Sequence, residues 1–542
     1  MIRFRRLVQT FCLVLFLILL TLVTISGIPL SSLDFFLQMD PGLVFITAIS
    51  ARIILLSFIP AAVVLLSGTF FGRVFCGYIC PMGTTLDVTD ALFRFKNKSY
   101  LFSKNLLKIK YLVLVFLLGS ALFGVSYIFI ASPLSLITRF YGLVIFPVIS
   151  FLSKEALDIV RPLGDMLDST FVSFVHIRTI RFATQFFIIF FFMIVFGMVK
   201  FSPRFWCRYL CPSGAMLAFF SMSPLIRREV SDECTQCGEC VQKCPMSAID
   251  IDMPENTFYS ECIVCRTCEE ICPETAVTFG FPKKSEVISS GVFSPKRRQL
   301  ISTGMIGAGT AVISLTGLNS LYGKSGEGQV NTPGLIRPPG AVKEMNFLSR
   351  CVRCSECMTA CPTNTLQPIG LAAGFPAIFS PAVTPRRGYC DPQCHECGNV
   401  CPTDAIRFIE KSDRIWAKTG TARIIRQKCL AWEFKKSCMV CDEVCPYDAI
   451  EFLKEKGNKV PVPHVIENKC AGCGYCEHFC PVQNQAAIVV TPMDAIRVNQ
   501  GKYESEARLK GFQLTIKPPD KKTISVELYH ERYQGTAPGF DE

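Results

Sequence analysis

The chain has 542 residues, of which 50% are apolar and only 18% charged, with 45 Phe against 3 Trp. That length allows several domains, and the apolar excess points to a membrane rather than to an ordinary soluble chain. The net charge of +12 does not indicate nucleic acid, because the basic residues flank apolar runs instead of forming one cationic domain. No substrate-pocket signature, nucleophile or hydrolytic motif stands out.

Spanning a bilayer takes about 20 residues of helix. Five stretches qualify, at roughly 8–28, 48–70, 109–131, 181–200 and 299–320. Two more, 134–152 and 169–177, are interrupted by charges and read as interfacial or partly re-entrant. Lys and Arg in the short flanks set the orientation. Arg3, Arg5 and Arg6 precede the first stretch, and the loop near 29–47 has no Lys or Arg. The next loop carries Arg73, Arg94, Lys96, Lys98, Lys104, Lys108 and Lys110, and Arg204 and Arg208 follow the fourth stretch. The N-terminus and residues 201–298 are therefore expected in the cytoplasm, with residues 321–542 outside.

Two of the expected inner helix ends lead into related sequences. One reads Arg73-Val-Phe-Cys76-Gly-Tyr78-Ile-Cys80-Pro81-Met-Gly83, followed by Leu86. The other reads Arg204-Phe-Trp-Cys207-Arg-Tyr209-Leu-Cys211-Pro212-Ser-Gly214, followed by Leu217. A duplicated two-helix unit would bring Cys76, Cys80, Cys207 and Cys211 to equivalent places on one membrane face. Four thiolates there could hold a further Fe–S centre or another soft metal, or act as a dithiol pair. The alternative is a structural turn whose cysteines stay reduced and pack.

The remaining cysteines decide the class. Of the 29, 24 fall into six groups of four, each ending in Cys-Pro. Residues 234–272 hold Cys234/237/240/244 and Cys262/265/268/272, each spaced x2, x2, x3. In this pattern three cysteines wrap one [4Fe–4S] cluster and the fourth crosses to its neighbour. One cluster is then expected on Cys234, Cys237, Cys240 and Cys272, and the other on Cys262, Cys265, Cys268 and Cys244. A structural zinc site would use two Cys-x2-Cys halves, without a third cysteine at the same spacing and without Cys-Pro. Ser247-Ala-Ile-Asp-Ile and Ala276-Val-Thr-Phe read as short strands over the clusters.

Next comes Ser294-Pro-Lys296-Arg297-Arg298-Gln-Leu300-Ile301, then an apolar run with Gly304, Gly307 and Gly309. It is similar to a twin-arginine export signal placed internally, or else a basic stop at a helix end. The glycines are expected to serve helix packing. Past a Pro/Gly-rich linker lie four further quartets: Cys351/354/357/361, Cys390/394/397/401, Cys429/438/441/445 and Cys470/473/476/480. The same exchange would give Cys401 to the Cys351 cluster and Cys361 to the Cys390 cluster. Cys480 would go to the Cys429 cluster and Cys445 to the Cys470 cluster. Disulfides are disfavoured, because such tight repeats suit a cubane better than eight bridges. His395, His464 and His478 lie near these loops as surface or supporting groups.

Residues 1–280 resemble the NapH type of membrane quinol-dehydrogenase subunit, on the helices, the two Cys-x-x-x-Cys-Pro motifs and the two-cluster module. Residues 294–490 resemble the NapG and MauM type of exported four-cluster ferredoxin, including Cys429-Leu-Ala-Trp432 and the long third spacing. The departure is their fusion in one polypeptide. The expected organisation is a multi-domain chain: an α-helical membrane bundle plus α+β bacterial dicluster-ferredoxin-like modules. Its expected parts are a membrane domain (1–220), a two-cluster module (221–290), a signal or anchor helix (291–322), a linker (323–342), a four-cluster domain (343–500) and a C-terminal extension (501–542).

The resemblance implies six [4Fe–4S] clusters carrying electrons from the quinone pool, across a bacterial inner membrane, to a periplasmic reductase or cytochrome. Arg52 and His176 are the quinone-site candidates. Two alternatives stand beside this: a conduit from a cytoplasmic low-potential donor, and a reductase or assembly factor for metal centres.

Overall fold

The computed structural model describes residues 2–23, 35–53, 59–93, 104–166, 179–281, 297–315 and 335–517. His176, the 169–177 stretch, Lys296 and most of the linker lie outside the described residues.

Two of the apolar helices of the amino-terminal half begin on side-chain caps. The Pro41–Ala51 helix starts on Asp40, whose carboxylate accepts from the Gly42 and Leu43 amides, with Pro41 in the first turn. Pro133–Phe140 starts the same way on Ser132, whose side chain accepts from the Ser135 amide. The two Cys-Pro steps begin the Pro81–Leu92 and Pro212–Phe220 helices, each with proline at the first position.

The span expected over 48–70 is not one helix. It breaks at Arg52, which takes a left-handed conformation (φ 54) and caps the first segment through its N–H to the Ala48 and Ile49 carbonyls. A second helix runs Ile59–Phe71. The stretch 134–152, expected to be interfacial, instead belongs to a continuous helical run, with a π turn at Tyr141–Ile145 joining Pro133–Phe140 to Phe146–Met166. Among the described residues, two helices are long and apolar enough to cross a membrane by length and composition, Arg3–Leu22 and Pro133–Pro162. The expected five-span bundle is therefore corrected: the first expected span, 8–28, overlaps Arg3–Leu22, whereas Pro133–Pro162 covers the stretch expected to be interfacial. Pro41–Ala51, Ile59–Phe71 and Gln185–Lys200 are shorter apolar helices.

Arg297–Leu315 packs antiparallel along Ile109–Leu122 at very close range. Its Arg297 end therefore lies toward the outer domain and its Leu315 end toward Lys110, the reverse of the expected inside-to-outside course of a signal or anchor helix. A Cβ on Gly119 would stand 2.4 Å from the Gly304 carbonyl oxygen, and one on Gly307 would stand 2.2 Å from that of Phe116. Gly304 and Gly307 thus serve helix packing, whereas Gly309 faces nothing within 4 Å.

The ferredoxin-like regions are built from short antiparallel pairs. In the inner module, β1 (Arg227–Val230) pairs with β2 (Val277–Gly280), closing the segment that holds the first two quartets. β2 was legible in the sequence and β1 was not; residues 247–251 contribute only the isolated bridge Ile249–Thr257. In the outer domain, β3 (Leu366–Pro368) pairs with β4 (Pro381–Val383) and β5 (Thr421–Ile424) with β8 (Ile488–Thr491). The remaining pair is β6 (Ile450–Leu453) with β7 (Val462–Val465).

The expected domain edges shift. Ile336 and Ala341 bridge to Val383 and Ile406, so the end of the expected linker belongs to the outer domain. The Gln513 and Lys517 amides donate to the Asn468 and Pro446 carbonyls, so the start of the expected extension packs back on it.

Ile109–Leu122 relates the parts to one another. At its start Lys110 reaches Glu261 of the inner module. Just past its end, the Ser126 carbonyl accepts from Arg353 of the outer domain. Its 14 residues span roughly 21 Å at about 1.5 Å per residue. The two cysteine-rich regions therefore sit at opposite ends of the helical part.

Candidate cluster sites and a buried thiol tetrad

Each quartet folds around a Cys-Pro step that turns the fourth cysteine away from its own loop. One inner cavity is lined by Cys234, Cys237, Cys240 and Cys272, the other by Cys262, Cys265, Cys268 and Cys244. Outside, Cys351, Cys354 and Cys357 share a cavity with Cys401, and Cys390, Cys394 and Cys397 share one with Cys361. Cys470, Cys473 and Cys476 meet Cys445. Cys441 lies within electrostatic reach of Cys438, Cys429 and Cys480.

Backbone amides point at the crossing sulfurs. Ala248 donates to Cys244 Sγ at 3.3 Å, and Ile406, Ala449 and Ala487 donate to Cys401, Cys445 and Cys480, each at 3.4 Å. Such N–H donors stabilise thiolate sulfur. Two buried arginines add charge: Arg228 Nη2 reaches Cys240 Sγ at 3.5 Å and Arg414 Nη2 reaches Cys390 Sγ at 3.1 Å. Sequence reasoning missed both, since no spacing rule links them to these cysteines.

Among the described residues no two cysteines form a disulfide. Burial pushes the Cys268, Cys394 and Cys401 thiols up to about 12, so metal uptake has to displace protons there. Among the described residues no three His, Cys, Asp or Glu side chains gather as ligands of a single ion. The thiols stand instead around voids, an arrangement that fits a multinuclear iron–sulfur group.

The histidines are engaged elsewhere. His395 packs edge-on to Phe408, and His464 packs against Trp432 with Nε2 3.4 Å from Glu455. Arg52 is exposed at its helix end.

The paired Cys-x-x-x-Cys-Pro motifs converge. Cys80 and Cys211 each lie within electrostatic reach of both Cys76 and Cys207. Cys80, Cys207 and Cys211 are buried and Cys76 is partly so. The two copies embrace reciprocally: Arg73 of the first lies against Gly214 of the second, and Arg204 of the second lies against Gly83 of the first. Each arginine is held by an acid. Arg204 pairs with Asp87 through two hydrogen bonds of 2.7 and 2.6 Å. Arg73 pairs with Glu261 of the inner module at 3.1 Å.

Relatives include the methylamine utilization ferredoxin-type protein MauM of Methylorubrum extorquens, 33% identical over 37% of this chain and 91% of the relative. The chain belongs to the MauM/NapG family of ferredoxin-type proteins. The ferredoxin-type protein NapG of Escherichia coli is 36% identical over 32% of this chain and 78% of its own length. MauM of Paracoccus denitrificans is 37% identical over 29% and 72%. Families described as 4Fe-4S dicluster domains match residues 226–273 and 436–484 of this MauM/NapG-type chain, and a 4Fe-4S binding domain matches 347–367. Another 4Fe-4S binding domain matches twice, at 53–99 and 184–230, each match enclosing one Cys-x-x-x-Cys-Pro pair. The chain is an iron–sulfur electron-transfer protein of the NapG/MauM ferredoxin type.

Proposed function

We propose that this chain fuses a NapH-type membrane quinol-dehydrogenase part to the NapG/MauM-type ferredoxin and carries electrons from quinol to a periplasmic reductase or cytochrome. The observation that carries this reading is the helical part held between two cysteine-lined regions, with Lys110 tied to the inner one and Ser126 to the outer. Six [4Fe–4S] clusters would be held by the 24 quartet cysteines in the crossed arrangement that the five cavities and the Cys441 group support. Bound clusters supply one-electron steps. The shorter apolar helices would complete a bacterial inner-membrane bundle with Arg3–Leu22 and Pro133–Pro162. The inner module would lie in the cytoplasm and the outer domain in the periplasm.

Quinol gives up two electrons and two protons, so each turnover needs two single-electron acceptances and a proton exit. Arg52 is the candidate at the outer face. It follows the Ser50–Ser349 hydrogen bond that joins the helical part to the outer domain, and it stays exposed.

The test is anaerobic mixing of the oxidised protein with a reduced menaquinol analogue, followed by absorbance and EPR. Rapid bleaching of a subset of clusters is expected. Reduction by dithionite or a low-potential ferredoxin but not by quinol would overturn the quinol step. That result would favour a cytoplasmic donor, a reading supported by the exposure of Cys237 on the inner module.

A further inference from the structure

We propose that Cys76, Cys80, Cys207 and Cys211 form a single iron–sulfur centre, shared between the two repeats and linking the inner clusters to the outer ones. The proposal deepens the conduit reading and rests on it only for the direction of electron flow.

Neither repeat can build such a site alone, since each supplies two thiols where a cubane needs four ligands. Their reciprocal packing supplies the other two. A Cβ on Gly214 would stand 2.8 Å from Arg73 Nη2 and 3.4 Å from Cys211 Sγ, so guanidinium and thiol meet over a glycine that leaves them room. The Gly214 amide itself donates to Cys211 Sγ at 3.2 Å, as amides do at the crossing cysteines of the quartets.

Arg73 gives an independent sign of a ligand. Its side chain is fully buried, yet Nε and Nη2 have no hydrogen-bond partner among the described residues. Leaving charged N–H groups buried and unsatisfied is costly. The sulfurs of an anionic iron–sulfur group between the repeats would accept from them. Arg204, on the opposite side, adds a second positive charge. Four soft thiolates with buried cationic donors suit an iron–sulfur group better than a dithiol awaiting oxidation.

The position is that of a link. On the inner side Cys76 packs in one apolar cluster with Cys262, Cys265 and Ile263, and a Cβ on Gly77 would stand 2.5 Å from the Ile263 carbonyl. On the outer side Ser213, next to the Cys211-Pro212 step, donates to Asp40, which also accepts from Ser132 at 2.6 Å. From Ser132 the eight-residue helix Pro133–Phe140, roughly 12 Å long, reaches the outer cavity. There Ser135 and Arg139 donate to the Val352 and Arg353 carbonyls at 2.6 and 2.9 Å. Each electron taken from one neighbour leaves to the next, so no bond is made and no co-reactant is consumed.

The test compares iron and acid-labile sulfide per chain in the anaerobically purified full-length protein and in Cys80→Ser plus Cys211→Ser. Seven cubanes carry about 28 iron atoms and six about 24. The variant is expected to lose about four irons and sulfides while keeping the EPR signals of the other clusters. Electron transfer from inner to outer clusters should slow at least about tenfold. Should the variant not accumulate, Arg73→Lys in the full chain gives a second reading: iron is kept and one centre changes its reduction potential. Equal iron in wild type and variant, zinc in place of iron, or four alkylatable thiols at these positions in the native protein would each overturn the proposal.

Discussion

Arg73 of the first repeat and Glu261 of the inner ferredoxin module form a fully buried ion pair, Nη1 to Oε2 at 3.1 Å. Lys110 Nζ joins the same carboxylate at 2.5 Å. The pairing breaks the symmetry of the repeats. Arg204 takes its acid, Asp87, from the opposite repeat. The position that would serve Arg73 in the same way is Ala218. Glu261 fills that gap from another domain, immediately before the cluster-loop residue Cys262.

Removing the carboxylate should therefore undock the inner module. Glu261→Gln leaves two buried cations without a counter-charge, a change that costs about 3–5 kcal/mol. Limited proteolysis should cut between residues 220 and 234 faster in the variant, and the melting temperature should fall. An unchanged cleavage rate would show that the pair does not hold the module.

Gly77 approaches the inner cluster loop closely. The Ile263 carbonyl lies 2.5 Å from where a Cβ would stand, so Gly77→Ala must push the helical part away from the inner cluster loop. Overpacking of this kind costs about 1–3 kcal/mol. Cluster content should be kept while reduction of the outer clusters from the inner ones slows, as followed by rapid-freeze EPR.

Crossed ligation separates the two inner sites. Cys244 faces the cavity of Cys262, Cys265 and Cys268, and Cys272 faces that of Cys234, Cys237 and Cys240. Cys244→Ser should alter the EPR signal of the site next to the helical part. Cys272→Ser should alter that of the site with the exposed Cys237. The reverse assignment would refute the crossing.

Glu344 gives the outer domain an acid-sensitive clasp. Burial alone would raise its carboxyl, but Arg337 and Arg497, at 2.6 and 2.8 Å, hold it below the ordinary 4.5. Because the folded value is depressed, its contribution to stability is fully present above 4.5 and is lost as pH falls through that value and below. Melting temperatures between pH 6 and pH 3.5 should fall less steeply for Glu344→Gln than for wild type.

Short-range spacing was enough to find the quartets, because three cysteines within one turn of loop can wrap a cluster whatever the rest of the chain does. The same holds for β2. Local signals failed where the outcome depended on distant groups. The run 48–70 is apolar enough for one helix, yet it breaks at Arg52, beside the Ser50–Ser349 contact with the outer domain. The charges within 134–152 read as interruptions, but Arg139 is fully buried and donates to the Arg353 carbonyl of that domain.

The sequence by itself determined the ligand inventory, the duplication and the alternation of helical and cysteine-rich parts, since each is written in residues close together along the chain. Only the tertiary structure decided that two half-sites become one tetrad and that Glu261 supplies the acid for Arg73. It also decided that the helical part touches a ferredoxin region at each end. Buried charges and thiols must find partners wherever the fold brings them, and those partners lie far away in sequence.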